Sequence, residues 1–349
     1  MTGMENATAV REAHRIDEDK LVTYLQASLN ADLELEKVSQ FMGGQSNPTY
    51  LLQFKNATYV MRKKPPGKLL PSAHMVEREY RVMAALAGSA VPVPTMRVLC
   101  EDPEIIGTAF YVMDFVEGRV YADPLLPELN NAERGQAYQH LAEVMAAMHE
   151  VDPGAVGLGD FGKPSGYTER QFSVWTRQYE ASKTEDLGEM DELHDWLKDN
   201  LPQSEETTII HGDYRLGNVM LDPVEPRIVA VLDWELSTLG NPLVDLAHCC
   251  LSYCIPAGAG EYPGLVGADL EGLQIPDEAG FLNSYFSARG IDAPDNWAFY
   301  MAFALYRMAA ICQGVYYRGI QGNASDPKAK EYGQITRYLA KIGVQRIKS

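Results

Sequence analysis

The hydrophobic pattern at the start of the chain predicts one helix followed by a small sheet. From Asp17 to about Asn30 apolar residues recur at helical spacing. Short apolar runs separated by turn formers then predict strands with one inserted helix. The predicted strands lie at 33–41, 50–54, 58–64, 96–102 and 109–116, and the inserted helix runs from Ala73 to Leu86 with Ser72 as its N-cap.

Beyond Gly118 the pattern becomes mainly helical, with two short β-like runs at 207–210 and 228–234. The stretch Trp297 to Tyr317 is almost wholly apolar but carries Arg307 and Gln313, so we interpret it as a buried core helix and not as a membrane span. A Gly/Pro-rich insertion from Pro256 to Pro276 is typical of a functional lid or flexible segment. The chain is therefore predicted to be α+β, with a β-rich lobe at 1–116 and a helical lobe at 117–349.

Composition narrows the class of protein. The 349 residues carry a formal net charge of -18, which argues against nucleic-acid partners and against docking on an anionic membrane. The five cysteines are odd in number and form no C-x-x-C, so a reducing, cytoplasmic location is expected. The run from His248 to Cys254 is interpreted as a buried helix face and not as a metal site. The first residues show no apolar segment typical of a signal peptide.

The chemistry is concentrated in "IIHGDYRLGNVMLDP", residues 209–223. Asp213 and Asn218 are spaced D-x-x-x-x-N, and Asp233 ends an apolar strand fifteen residues later. A strand-loop-strand would bring Asn218 and Asp233 together, and their oxygens suit Mg²⁺ that also contacts substrate phosphates. Asp213 would lie just ahead, able to accept a proton from an attacking hydroxyl. This pattern indicates a phosphoryl-transfer site.

Together, "HGDYRLGN" and "VLDWE" resemble the catalytic signature of the aminoglycoside phosphotransferase and choline-kinase-like family, which shares the protein-kinase fold. The resemblance covers roughly residues 33 to 340. More narrowly, "FMGGQSNPTYLL", "EREYRVMAAL" and "LDWELSTLGNPLVDLAH" are similar to the kinase-like domain fused to some acyl-CoA dehydrogenases. The resemblance implies a two-lobed protein-kinase-like fold with ATP and Mg²⁺ as cofactors.

Roles for individual residues follow from this resemblance. It implies Asp213 as the catalytic base, Asn218 and Asp233 as Mg²⁺ ligands, and Gly43, Gly44, Ser46 and Asn47 as the phosphate-covering loop. It also implies Arg62 at the phosphate-binding position, Glu79 as its partner, Val60 against the base, Asp114, Phe115 and Val116 as the adenine hinge, and Asp245 as a brace of the catalytic loop. His211 is expected to be a structural hydrogen-bonder. Two departures stand out: Arg62 replaces the usual Lys, and Trp234-Glu235 replaces Phe-Gly.

The expected activity is transfer of the γ-phosphate of ATP to a hydroxyl of a small molecule. The narrower resemblance implies a hydroxyacyl thioester or a hydroxy acid as the acceptor. An aminoglycoside or other amino alcohol is an alternative that the negative net charge keeps open. A pseudokinase that binds nucleotide without turnover is a further alternative, favoured by Arg62. The sequence leaves open the oligomeric state and the choice between ATP and GTP.

Overall fold

The computed structural model describes residues 7–41, 47–65, 74–258, 263–324 and 326–348. Strands dominate the early part of the chain and short hairpins lie further on. The strands of the described part are β1 Ala7–Thr8, β2 Leu35–Phe41, β3 Thr49–Phe54, β4 Thr58–Lys63, β5 Met96–Cys100, β6 Phe110–Asp114, β7 Thr208–Ile210, β8 Val219–Leu221, β9 Ile228–Val231 and β10 Thr238–Gly240.

Helices make up most of the chain after the sixth strand. The α-helices are α1 Glu18–Leu29, α2 Val76–Leu86, α3 Pro103–Ile106, α4 Asn131–Glu150, α5 Tyr167–Ser182, α6 Gly188–Asp199, α7 Pro242–Cys249, α8 Leu270–Leu273, α9 Glu278–Arg289, α10 Trp297–Ile320 and α11 Tyr332–Lys348. Short 3-10 helices lie at Glu12–His14, Leu216–Asn218, Trp234–Leu236, Cys250–Cys254 and Ala329–Glu331. The predicted α+β class with a β-rich first part and a helical second part is confirmed.

The chain forms two compact units whose limits differ from the predicted boundary at residues 116 and 117. The first unit takes the chain up to Ala122 together with Arg215–Ser237, and the second takes Asp123–Tyr214 with the remainder from Thr238. The physical reason lies in backbone pairing within the first unit. Arg119 and Leu221 exchange hydrogen bonds of 2.7 and 2.8 Å, which holds the later segment to the earlier one.

One antiparallel sheet, in the order β1-β2-β3-β4-β6-β5, forms the framework of the first unit. Its core face is covered by α1, whose buried Leu21 and Leu25 pack with Tyr50 and Met61 of the sheet. Because side chains alternate along a strand, Val60 and Arg62 of β4 lie on the face opposite to Met61. Asp17 caps the start of α1 and Asn30 ends it in a left-handed conformation, so the helix lies within the predicted range from Asp17 to about Asn30.

Two details of the first unit differ from or refine the expectation. The helix α2 begins at Val76, three residues later than predicted. Ala73 and the predicted cap Ser72 lie outside the described residues. The small hairpin of β8 and β9 confirms the predicted strand-loop-strand, with Val219 opposite Val231.

The second unit is built around α10, which contacts α5, α6, α7 and α11. In the described part of the chain, α10 is the one helix long and apolar enough to cross a membrane, but 67% of its most apolar window is buried inside the fold. This matches the interpretation of the segment as a core helix. The insertion from Pro256 to Pro276 is not wholly irregular, because Pro256 bridges Val266 and α8 follows.

Candidate active site

A buried ion pair joins β4 to α2 in the first unit. The Nε of Arg62 lies 3.2 Å from Oε2 of Glu79, and the two side chains are 11% and 1% exposed. β4 directs Arg62 to the face of the sheet on which α2 packs, and Glu79 lies in the first turn of α2. The prediction that Glu79 pairs with Arg62 is confirmed.

Three further side chains complete the surroundings of this pair. Tyr111 of β6 donates to Oε2 of Glu79 at 3.0 Å, and Nδ2 of Asn47 donates to Oε1 at 2.7 Å. The Oδ1 of Asn47 lies 3.1 Å from Nδ1 of His74. Asn47 is fully buried. This differs from its predicted contact with phosphate, because its amide is used to brace Glu79.

Burial and charge act on Glu79 and Arg62 in opposite ways. Removal from water raises the pKa of Glu79 to about 7, although Arg62 and Tyr111 act to lower it. Burial also acts to lower the pKa of Arg62, but the neighbouring oxygens of Tyr111, Glu79 and Asp233 outweigh it and the net shift is upward. The guanidinium of Arg62 is therefore a permanent positive charge at this position.

The hairpin of β8 and β9 brings the two predicted metal ligands together. The amide of Leu232 donates to the carbonyl of Asn218 at 2.8 Å, so Asn218 and Asp233 lie at the same end of the hairpin. Asp233 has a φ of 62°, a left-handed conformation that Asp tolerates better than most residues. Its Oδ1 accepts from Nη2 of Arg62 at 2.8 Å, and its side chain is 40% exposed.

A cavity of about 290 Å³ within the first unit collects these groups. Its volume is near the lower end for small-molecule pockets. The predicted site residues that line it are Val60, Arg62, Asp114, Phe115, Val116, Asn218 and Asp233. The apolar residues beside them include Met113 and Leu232, which suit the flat face of a base. The structure thus brings most of the predicted nucleotide and metal residues to one cavity.

The donor set around this cavity fits a nucleotide and a hard cation. Among the described residues, the amide of Val116 has no hydrogen-bond acceptor, and Nη1 of Arg62 and Oδ2 of Asp233 have no partner. Asp114, by contrast, commits its carboxylate to Arg97 in two bonds of 2.7 Å. Hinge recognition would therefore use backbone groups, as expected. Gly43, Gly44 and Ser46 of the predicted phosphate loop lie outside the described residues.

In the second unit, Asp245 fixes the loop that carries the predicted base. Its carboxylate accepts from the amides of His211 and Gly212, both at 2.8 Å. His149 lies 3.4 Å from the same carboxylate. Burial acts to raise the pKa of Asp245, but these hydrogen bonds outweigh it and the pKa lies below its usual value. The predicted bracing role of Asp245 is thus seen directly as two charge-assisted bonds to the loop.

The side chain of Asp213 has a partner that the sequence analysis missed. Nε2 of His248 lies 2.9 Å from Oδ1 of Asp213, and the two side chains are 8% and 30% exposed. His248 was assigned to a buried helix face with no chemical role. One signal was available: Asp245 and His248 are three residues apart and therefore share a face of α7. From that face, Asp245 accepts from the backbone of the loop and His248 contacts the side chain of Asp213.

A family comparison decides the class of this protein. The model of the phosphotransferase enzyme family matches residues 37–282. The chain belongs to the phosphotransferase enzyme family. The match spans both compact units and includes every residue placed in the candidate site.

Relatives of known name are similar over nearly all of this phosphotransferase. Acyl-CoA dehydrogenase family member 10 of Mus musculus is 43% identical over 97% of the chain, and family member 11 of Homo sapiens is 40% identical over 99%. These alignments take up 32% and 45% of the two relatives. The chain therefore spans less than half of the length of either relative.

Solved structures show the same fold. A crystal structure from Ralstonia eutropha JMP134, described provisionally as an aminoglycoside phosphotransferase, is 45% identical with a TM-score of 0.87, covering 96% of this chain and 99% of its own. A spectinomycin phosphotransferase in complex with ADP and spectinomycin has a TM-score of 0.63 at 13% identity, covering 95% and 99%. The kinase-like fold implied by the resemblance is confirmed: an antiparallel N-terminal sheet and a helical C-terminal part.

The described part of this phosphotransferase contains no group of three or more His, Cys, Asp or Glu placed to hold a metal ion. Such a group is not needed for Mg²⁺, which binds proteins through one or two oxygen ligands and keeps several waters. Asn218 and Asp233 supply an amide and a carboxylate. The cysteines from Cys249 to Cys254 are buried and free, in agreement with a packed helix face.

The raised pKa of Glu79 leads to a pH-dependent stability. The folded state holds the proton of the Glu79 carboxyl more tightly than the unfolded chain does. Protonated Glu79 therefore adds to the free energy of unfolding below its ordinary pKa near 4.5, and this addition is lost as the pH rises towards about 7. We expect the free energy of unfolding to fall across this window, and Glu79→Gln to remove that part of the fall. Urea denaturation at pH 5 and pH 8 measures it. The control is Glu77→Gln, a substitution on the same helix that removes the carboxylate partner of Lys64. If the pH profile of Glu79→Gln equals that of the wild type, Glu79 is not the group that causes the fall.

The contact between His248 and Asp213 leads to a kinetic expectation. A hydrogen bond to a charged group contributes about 1.5–3 kcal/mol, so its loss corresponds to about a 10- to 100-fold change in rate. We expect His248→Ala to lower kcat by this amount with little effect on nucleotide affinity, and His248→Gln to recover part of it because the Gln amide can reach the same oxygen. His194→Ala, which removes a partly exposed His that contacts Asp195 and Phe172, is the control. Equal activity of His248→Ala and the wild type would contradict the positioning of Asp213 by His248.

Proposed function

We propose that this phosphotransferase moves the γ-phosphate of ATP to a hydroxyl of a small molecule in an Mg²⁺-dependent reaction. One observation carries the proposal. Arg62 is buried between Glu79 and Asp233, and Asn218 and the hinge segment border the same cavity. A permanent cation, two side chains with oxygen ligands and a hinge amide that no described residue accepts from border one cavity, and these are what a nucleoside triphosphate and its cation require.

Each side chain of the site has a separate role in the proposed phosphoryl transfer. Asp213 accepts the proton of the acceptor hydroxyl as the oxygen forms its bond to the γ-phosphorus. The bond between that phosphorus and the bridging oxygen breaks, and ADP leaves with the electron pair. Arg62 contributes positive charge to the phosphate oxygens through Nη1, which has no partner in the described part of the chain. Asp245 and His248 hold the base and its loop in place.

A magnesium ion held by Asn218 and Asp233 would neutralise charge that develops on the phosphate oxygens. Arg62 already bonds Oδ1 of Asp233, so Oδ2 is the oxygen open to the metal. This division lets one carboxylate serve the cation and the guanidinium together. Nucleotide complexes of more distant relatives of the fold, with ADP or with AMP-PNP, support the choice of nucleotide.

For the acceptor we propose the hydroxyl of a hydroxyacyl thioester or of a hydroxy acid. The support is the identity of 40–43% with acyl-CoA dehydrogenase family members, against 13–17% with the solved phosphotransferases named for spectinomycin or macrolides or bound to hygromycin B. A kinase segment joined to an acyl-CoA dehydrogenase in one relative would act on a related acyl compound. An aminoglycoside acceptor is the second candidate, favoured by the provisional description of the Ralstonia eutropha protein and by the net charge of -18.

We also propose a cytoplasmic location. The support is that all five cysteines are free and buried, as in proteins of reducing compartments. Neither a nucleic acid nor a membrane is part of the proposed reaction.

The base assignment has a direct test. Asp213→Asn keeps the shape of the side chain but removes its ability to accept a proton, so we expect turnover to fall by at least about 100-fold. Nucleotide affinity, measured by calorimetry with AMP-PNP and Mg²⁺, should stay within about twofold. Asp292→Asn, at an exposed position, is the matched control. Full activity of Asp213→Asn would refute the role of Asp213.

The acceptor class is tested by release of ADP with a panel of compounds. The panel contains hydroxy acids, their coenzyme A thioesters and aminoglycosides, and each positive reaction is repeated with Asp213→Asn. We expect ADP release that depends on Asp213 with the acyl compounds only. Turnover of aminoglycosides alone favours the second candidate. Binding of ATP without turnover of any compound favours a pseudokinase and contradicts the proposed reaction.

A further inference from the structure

Arg307 of α10 is a buried cation that pairs with no carboxylate in the described part of the chain. The residue is 9% exposed. Its Nη2 donates to the carbonyl of Gly212 at 3.2 Å. Its Nε is buried and has no hydrogen-bond partner, and it forms no ion pair with any carboxylate in the described residues. A guanidinium remains charged under all ordinary conditions, so this site holds a permanent positive charge that no carboxylate of the described residues pairs with.

The one further contact of this guanidinium does not neutralise it. Arg307 lies over the ring of Trp175, 5.4 Å from the ring centroid. A cation-π contact is favourable, but it supplies neither a negative charge nor an acceptor for the free N–H groups. The charge of Arg307 is therefore only partly offset within the second unit.

Arg289, whose side chain is also largely buried in the same unit, shows the usual arrangement. Its side chain is 6% exposed and bonds Glu150 at 2.7 Å and Glu206 at 2.8 Å. Buried arginines are normally paired in this way because an isolated charge is costly to remove from water. Arg307 departs from that rule at one place in the fold, next to the loop of the predicted base.

The position of Arg307 says what it would bind. Gly212, whose carbonyl it holds, directly precedes Asp213 in the chain. A group bound to the remaining N–H donors of Arg307 would therefore lie beside the loop that carries Asp213. A guanidinium selects oxygen acceptors and repels ammonium groups. This chemistry fits an acyl oxygen and does not fit a polycation.

We infer that Arg307 recognises the acceptor by donating to an acyl oxygen close to the hydroxyl that is phosphorylated. The oxygen is either the carboxylate of a hydroxy acid or the carbonyl of a hydroxyacyl thioester. The inference rests on the proposed function, since it names the acceptor of that same reaction. It makes Arg307 a specificity-determining residue for oxygen-bearing acceptors over amino sugars.

The experiment compares matched acceptors that differ only in the acyl oxygen. A hydroxy acid is paired with the corresponding diol, and a hydroxyacyl coenzyme A with the S-(hydroxyalkyl) thioether that lacks the carbonyl. Binding is measured by calorimetry on the full chain with AMP-PNP and Mg²⁺, so no turnover is required. In Arg307→Gln we expect the Kd of the acid or of the thioester to rise at least about tenfold, with the Kd of the diol and of the thioether unchanged.

Controls separate recognition from a structural role. Arg318→Gln, at an exposed position of the same helix, should bind every compound as the wild type does. The Kd of AMP-PNP and the Tm of Arg307→Gln show whether the fold is intact, and Arg307→Lys, which keeps the charge, should recover part of the affinity. An Arg307→Gln variant that weakens all four compounds equally, or none of them, overturns the inference.

Binding and turnover report separately on acyl recognition by Arg307 and on the proposed phosphotransfer. Selective loss for the acid identifies the carboxylate, and selective loss for the thioester identifies the carbonyl; both support the inference. If these effects are found but no acceptor is phosphorylated, the proposed reaction fails and acyl recognition by Arg307 stands. If acyl acceptors are phosphorylated with unchanged KM in Arg307→Gln, the reaction stands and the role of Arg307 is refuted.

Discussion

The first unit depends on the ion pairs that the buried guanidinium of Arg62 forms with two carboxylates. Removing two ions from water costs several kcal/mol each, and only good geometry with additional hydrogen bonds offsets that cost. Arg62 meets Glu79 and Asp233, while Asn47 and Tyr111 satisfy the remaining oxygen positions of Glu79. These residues come from the sheet, from the helix α2 and from the β8–β9 hairpin. The ion pairs of Arg62 therefore hold three separate segments of the chain together, and they also position residues that line the cavity.

The second unit uses a buried carboxylate with the opposite electrostatic outcome. Glu79 has a raised pKa because burial outweighs its partners, whereas Asp245 has a lowered pKa because its partners outweigh burial. The difference follows from the donors: Asp245 accepts two backbone amides at 2.8 Å and lies beside His149. Backbone amides cannot rotate away, so they favour the charged form of an acid continuously. Asp245 is thus a fixed anchor for the loop of Asp213, and Glu79 is close to its titration point.

Local patterns predicted the elements and the pairs that local geometry controls. Strand alternation placed Val60 and Arg62 on one face, and a hairpin brought Asn218 to Asp233. Packing between distant segments was not predictable in this way. Asn47 lies in a stretch rich in turn formers, and nothing local to that stretch predicts that its amide donates to Glu79. The apolar run that contains His248 gives no sign of its contact with Asp213. Residues 215–237 belong to the first unit because the backbone of this segment pairs with Arg119, and hydrophobic periodicity does not predict such pairing.

The replacement of Lys by Arg at residue 62 has a structural reason in this fold. A lysine ammonium is a single point charge, whereas a guanidinium presents donors in a fixed planar fork. Arg62 directs Nε towards Glu79 and Nη2 towards Asp233, so one side chain spans the helix carboxylate and the predicted metal ligand, and Nη1 has no partner in the described part of the chain. The consequence is that Oδ1 of Asp233 is committed to Arg62. The orientation of Asp233 and the charge on Glu79 are then coupled through a single residue, so a change at one carboxylate affects the other.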